Sequence, residues 1–242
     1  MTQKHSARER LRAQRAREKS AEKRRRTLKV GAAVVGVLVV AGVVGVVVAE
    51  QNKDSGGSGS DAKPITVGKA GAPAKLTVYE DFRCPACAQF ENQYRDTVHA
   101  LERAGKLRTE YHLVTLIDGN LGGSGSKKAA NAAACARDEG KFSAYHDVLY
   151  QNQPEEQDDA FGSEQRLLSL AKKVKGLDGA SFRKCVNSGE HESWVTESND
   201  AFRNSDHDAT PTILLDGENI YSDQSNPLTP AKLKKKVEQK AG

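Results

Sequence analysis

The segment EDFRCPACAQFE, residues 80 to 91, sets two cysteines two residues apart between a strand-like run and a helix-like one. Such a pair is half of a metal clamp, a structural cross-link or a redox couple, and each choice demands a different remainder of the chain. A structural zinc site needs two further ligands at close spacing. The other cysteines, Cys135 and Cys185, stand about 50 residues apart and no histidine pair has suitable spacing, so no metal is expected. A cross-link between Cys84 and Cys87 closes a tiny ring and restrains the unfolded chain little. A redox couple fits better: Pro85 suits the first turn of a helix, which puts Cys84 at a helix N-terminus. There, unpaired N–H groups and the helix dipole favour a thiolate.

The rest of the chain divides by charge and hydropathy. Residues 1–29 hold 12 Lys and Arg against 3 Asp and Glu, leaving 25 basic against 29 acidic residues in 30–242. The positive excess is therefore a tail, and without interleaved aromatics it reads as a topology signal with no nucleic-acid partner. Residues 30–49, VGAAVVGVLVVAGVVGVVVA, carry no charge. As a helix rising about 1.5 Å per residue, such a run matches a hydrocarbon core of roughly 30 Å. Valine and glycine are poor helix formers in water, but lipid forces a backbone to satisfy its own hydrogen bonds. The run exceeds the apolar region of about 7–15 residues usual in a cleaved signal peptide. A single uncleaved transmembrane helix is expected, with 1–29 cytoplasmic and the C-terminal part extracytoplasmic in the cell membrane. Residues 50–64 are polar and rich in Gly and Ser, a flexible linker reaching roughly 20 Å.

From residue 65 the pattern is globular. ITVG and AKLTVYEDF read as strands, and a helix from Pro85 buries Phe90, Tyr94, Val98 and Leu101 and ends near Gly105. KLRTEYHLVTLI reads as a second long strand. A helical block spans about 124–204, within which His146 shares a face with Phe142 and Leu149 and reads as a partly buried packing residue. ATPTILLDGENIY reads as two strands joined at Asp216–Gly217, and TPAKLKKKVEQK as a closing helix. Glu80 and Asp81 precede Cys84; either can lie beneath the pair and relay the Cys87 proton, with Glu80 slightly ahead, or both can be solvated turn carboxylates.

VYEDFRCPACAQFE, AACARDEGKFSAYHDVLY and the late TPT together resemble the DsbA-like thiol–disulfide oxidoreductases of the thioredoxin superfamily over 65–242. The resemblance is strongest to membrane-anchored, extracytoplasmic members from Gram-positive bacteria, especially actinobacteria. It implies an α/β, thioredoxin-like fold with an inserted helical subdomain, here preceded by one transmembrane helix. Cys84 and Cys87 would be the catalytic couple, tuned by Pro85, Ala86, Glu80 and Asp81. Pro211 would be cis and face the couple, with the Thr210 backbone pairing to an extended substrate. Cys135 and Cys185 would form a structural disulfide, which an even remainder of two cysteines in an exported chain also favours. Strongly oxidising members often carry His where this chain has Ala86, so a less oxidising couple is expected. No cofactor is implied.

The partners implied are exported unfolded or extended proteins and an integral-membrane, quinone-linked reoxidant of the DsbB or vitamin K epoxide reductase type. The expected function is a membrane-tethered oxidase that introduces disulfides into exported proteins. The alternatives are an envelope disulfide reductase or isomerase, or a non-catalytic, chaperone-like peptide-binding module.

Overall fold

The computed structural model describes residues 62–223 and 225–241. The tail 1–29, the apolar run 30–49 with its expected membrane span, and the linker as far as residue 61 lie outside the described residues. Among the described residues no helix is long and apolar enough to cross a membrane.

The sheet is organised around β2 (Ala74–Glu80), AKLTVYE, in which only Lys75 and Tyr79 are not fully buried. A strand so buried needs a neighbour on each edge and layers on both faces. It runs parallel to β3 (Leu107–Leu113) and antiparallel to β4 (Thr212–Leu215). β1 (Ile65–Gly68) flanks β3 and β5 (Glu218–Asn219) flanks β4, giving the order β1-β3-β2-β4-β5. The β4–β5 turn has positive φ at both Asp216 (50°) and Gly217 (89°), the backbone that a two-residue hairpin prefers.

A parallel β2–β3 pair requires a crossover, and α1 (Pro85–Arg103) supplies it. Phe90, Tyr94, Val98 and Leu101 recur every three or four residues and bury one face of α1 together with Cys87. Six helices follow β3 and form the insertion: α2 (Leu116–Leu121), α3 (Gly125–Asp138), α4 (Phe142–Gln151), α5 (Glu164–Ala171), α6 (Ala180–Ser188) and α7 (Glu192–Arg203). A 3-10 turn lies at Ala160–Gly162, and α8 (Pro230–Ala241) ends the described chain against α1 and β2.

One boundary differs from the sequence reading. The expected strand KLRTEYHLVTLI stops at Leu113, and Leu116 opens a helix, so the helical block begins before residue 124. β3 runs out of partner where Leu113 pairs with Glu80. Beyond that point Thr115 N donates to Asn199 Oδ1 (3.0 Å) and Ile117 N to Asp81 Oδ2 (2.9 Å), so side-chain acceptors replace a ladder. α3, rich in alanine, buries residues on all its faces and packs against α4, α6 and α7. A disulfide between Cys135 and Cys185 joins α3 to α6, with a Cα–Cα distance of 5.9 Å.

Candidate active site

β2 delivers its last residue, Glu80, to one end of the sheet. A tight turn follows, in which Cys84 N donates to Asp81 O (3.0 Å), and Pro85 begins α1. Cys84 is the N-cap, with extended backbone, so the otherwise orphaned N–H groups of Ala86 and Cys87 reach its sulfur. Pro85 and Ala86 are exposed; Cys84 is 6% exposed and Cys87 fully buried. Both are free thiols. The Cys84 thiol donates to Thr210 O (3.4 Å), and the Thr210–Pro211 peptide is cis. Six of the residues singled out in the sequence thus converge: Cys84, Pro85, Ala86, Cys87, Thr210 and Pro211.

The two sulfurs are treated in opposite ways. Cys84 is lowered from 9.0 to about 6, chiefly by hydrogen bonding from the Cys87 thiol, against burial, with help from Thr210 and the N–H groups of Cys87 and Ala86. Burial pushes Cys87 well above its ordinary value, and the neighbouring Cys84 adds to the effect. Near neutral pH one sulfur is held as thiolate and the other as thiol.

The turn before Cys84 is clamped from several sides. Asp81 accepts from Arg83 N (2.8 Å) and from Ile117 N (2.9 Å), while burial lifts its carboxyl from 3.8 to about 7. Gln153 Nε2 donates to Phe82 O (2.8 Å) and Cys84 O (3.0 Å). Arg83 is 1% exposed, and its guanidinium donates to Asp118 Oδ1 (2.7 Å), Gly122 O (2.8 Å) and Glu156 O (3.0 Å) and pairs with Asp159 Oδ1 (3.0 Å). Those two aspartates also hold the start of α3: Asp118 accepts from Ser126 N and Lys127 N, and Asp159 from Ser124 N and Gly125 N. The residue next to Cys84 is therefore tied directly to the helical insertion.

Glu80 and Asp81 point to different neighbours. Glu80 is 1% exposed and its Oε1 lies 2.7 Å from His146 Nε2 on α4. Glu91, one helical turn beyond Cys87, brings a third ionisable group, and one carboxylate oxygen of each glutamate, Glu80 Oε2 and Glu91 Oε1, is buried without a conventional donor. His146 is thus fully buried and bonded to a carboxylate, more than the partly buried packing residue its helical face suggested. Burial disfavours its charge, but Glu80 and Asp147 outweigh burial and raise it well above 6.5.

Two triads among the described residues bring metal-type ligand atoms within 4.8 Å: Cys135, Cys185 and His191, and Glu80, Glu91 and His146. In the first, both sulfurs are in the disulfide. In the second, the 2.7 Å contact is a direct hydrogen bond, shorter than the roughly 3 Å or more that separates two donors each about 2 Å from one ion. Neither is a ready metal site.

Arg83, Gln153, Glu91 and His146 were not singled out as site residues in the sequence. For Glu91 a signal existed, its position four residues after Cys87 on the same helical face. Cys135 and Cys185 lie in the insertion rather than among the converging residues.

The family described as Thioredoxin matches residues 60–239. The probable disulfide bond formation protein D of Bacillus cereus is 26% identical over 195 residues, covering 76% of this chain and 84% of that protein. Among solved structures, the reduced disulfide bond oxidoreductase DsbG of Mycobacterium tuberculosis is 32% identical with a TM-score of 0.61, over 73% of this chain and 83% of that one. The oxidised DsbA of the same organism is 28% identical with a TM-score of 0.63, over 74% and 93% respectively.

Proposed function

The chain belongs to the thioredoxin family and is a DsbA-like protein disulfide oxidoreductase; from that premise we propose that Cys84 and Cys87 are its working couple and donate their disulfide to exported proteins. The observation that carries this reading is the unequal pair: a thiolate-prone Cys84 beside the cis Thr210–Pro211 peptide, over a buried Cys87 held as thiol.

In the oxidised pair a client thiolate attacks Cys84 Sγ. The Cys84–Cys87 bond breaks, the client is joined to Cys84, and Cys87 leaves as a thiolate and takes up a proton. A second client thiolate attacks the client sulfur of this mixed disulfide, so the client disulfide forms and Cys84 leaves as a thiolate. Two electrons pass from client to enzyme. A leaving group with a pKa of about 6 favours that second step. Thr210, two residues ahead of β4, offers its backbone to an extended client, and Ala86 adds no charge to Cys84, which keeps the couple less oxidising than relatives with His there.

The apolar run 30–49 tethers the domain to the cell membrane with the basic tail inside, and a quinone-linked membrane protein of the DsbB or vitamin K epoxide reductase type restores the disulfide. An envelope reductase would use the same couple with electrons flowing the other way. A chaperone-like module would need neither sulfur. In cells, Cys87→Ala is expected to accumulate mixed disulfides at Cys84 with exported proteins, seen as bands that a reductant removes. Cys84→Ala should form none and should lose disulfide donation; retained donation in that variant would overturn the reading.

A further inference from the structure

The cross-link in the insertion stands beside a third group of metal-ligand type. Cys135 lies in the last turn of α3, Cys185 in the last turn of α6, and His191 is the N-cap of α7. Both sulfurs and a ring nitrogen of His191 lie within 4.8 Å of one another. We propose that this junction is a redox-gated metal site: once a dithiol has reduced the Cys135–Cys185 disulfide, the two thiolates and His191 bind one Zn²⁺. The site is independent of the exchange assigned to Cys84 and Cys87.

The donor set and its spacing are the first support. Two thiolates and an imidazole suit zinc, with Zn–S near 2.3 Å and Zn–N near 2.0 Å. Around a tetrahedral ion of those dimensions the sulfurs stand about 3.8 Å apart and each lies about 3.5 Å from the nitrogen. A cluster already within 4.8 Å has about 1 Å to close on the nitrogen. The Cα atoms of the two cysteines, 5.9 Å apart, leave the freed sulfurs room to part by side-chain rotation. Charge selects the ion: Cys135 is 1% and Cys185 8% exposed, and two thiolates cancel a divalent cation in that dry place. A soft monovalent ion such as Cu⁺ would leave a net negative charge there.

The surroundings of the three groups are the second support. Asp138 Oδ2 lies 2.6 Å from His191 Nε2, the kind of carboxylate partner that orients a metal-binding imidazole, and it leaves the lone pair on Nδ1. Arg137 pairs with Asp138 Oδ1 (2.7 Å), so the carboxylate brings no uncompensated charge. The frame does not depend on the disulfide. Asn131 of α3 is 2% exposed; its Oδ1 accepts from His191 N (2.8 Å) and its Nδ2 donates to Val186 O (3.5 Å). Glu190 N donates to Cys185 O (3.2 Å). One side chain of α3 therefore holds both α6 and the start of α7 in place when the sulfurs part. The way in is from the surface, where the side chains of His191 and Asp138 are 17% and 43% exposed, and the fourth position on the ion falls to water from that side.

The step balances. A dithiol gives two electrons and two protons to the Cys135–Cys185 bond, which breaks to two thiols as the dithiol becomes a disulfide. Zn²⁺ then displaces one proton from each thiol. The junction of α3 with α6 is thus tied in both redox states, by a covalent bond in one and by an ion in the other. Because the three ligands meet only in the folded chain, zinc stabilises the reduced insertion in proportion to its occupancy.

The test uses the full-length chain in detergent, with Cys84→Ser and Cys87→Ser so that only two thiols remain. It is reduced with a phosphine, since a dithiol would itself bind zinc, then freed of reductant and equilibrated with Zn²⁺. The reduced chain should hold one equivalent of zinc and the oxidised chain none. Co²⁺ in its place should show thiolate charge transfer and the strong visible bands of a tetrahedral ion. Asp138→Asn should weaken binding by about tenfold or more, the range for a residue that orients a ligand, and His191→Ala should weaken it further. Zinc should raise the melting temperature of the reduced chain and leave that of the oxidised chain unchanged. A reduced chain that stays folded and takes no zinc overturns the proposal, and so does one that unfolds on reduction and fails to refold when zinc is added. Uptake that is unchanged in His191→Ala, or that persists with the same affinity in urea, is chelation by two loose thiols and also overturns it.

Discussion

Cys84 owes its low pKa first to Cys87 and only then to Thr210 and the helix N-terminus, so the pair tunes itself. In the reduced protein, absorbance of the thiolate near 240 nm should titrate with a midpoint near 6, and removing the donor in Cys87→Ala should move that midpoint upward; an unmoved midpoint contradicts this order of causes. The same shift links redox state to stability. The folded pKa is depressed from 9.0 to about 6, so in that window the unfolded chain binds more protons than the folded one, and stability rises with pH. The contribution is complete above about pH 9 and is lost as pH falls through about 6. Asp81, raised from 3.8 to about 7, works in the opposite sense between those values, but it does so in both redox states. The melting temperature of the reduced form relative to the oxidised form should therefore climb from pH 6 to 9. Arg83, 1% exposed and shared between Asp118 and Asp159, is the residue on which the turn most depends. Arg83→Met leaves Asp118, 11% exposed, without its cation, while Asp159, 34% exposed, is screened by water; chemical unfolding should show a loss of about 3 kcal/mol, the lower end for a broken buried pair.

Between elements, the decisive contact is the start of α3 against the turn that carries the cysteines. Gly125 is glycine because a Cβ there would come within 2.5 Å of Asp159 Oδ1 and 3.0 Å of Arg83 Cδ. Gly125→Ala should therefore cost about 1–3 kcal/mol in chemical unfolding, the usual range for overpacking, and should displace the carboxylate that neutralises Arg83. The elements legible in the sequence were those whose pattern is local. α1 declared itself through Phe90, Tyr94, Val98 and Leu101, and the β4–β5 turn through Asp216–Gly217, because a period and a dipeptide need no distant information. α2 was hidden, since Leu116 and Ile117 continue an apolar strand pattern and only Asp81 and Asn199, from far along the chain, turn them into a helix start. The Arg83 clamp draws on residues 83, 118, 122, 156 and 159, and the buried triad on 80, 91 and 146. No spacing rule joins such residues. A histidine on an apolar helical face carries no sign of the carboxylate that the sheet will set against it.

At the scale of the molecule, the insertion lies between β3 and β4 and reaches the site through Arg83 and Gln153, while its own disulfide joins α3 to α6 well away from the redox pair in sequence. With a separation of 50 residues, that bond should contribute about 4 kcal/mol on the chain-entropy account; the double variant Cys135→Ala, Cys185→Ala should lose up to that much in chemical unfolding and keep disulfide exchange at Cys84. The proposed tether has its own check. In a background without other cysteines, a membrane-impermeant maleimide applied to intact cells should label Ser60→Cys and spare Ser20→Cys; the reverse would invert the orientation. The central claim, that Cys84 and Cys87 are kept charged as a disulfide donor, is tested most directly by their redox state in growing cells, trapped by acid quench and read by alkylation gel shift with Cys135 and Cys185 replaced in a parallel strain. A pair found mostly oxidised is the result expected of a donor recharged by a membrane partner. A pair found mostly reduced would contradict it and make the protein a consumer of electrons from the membrane.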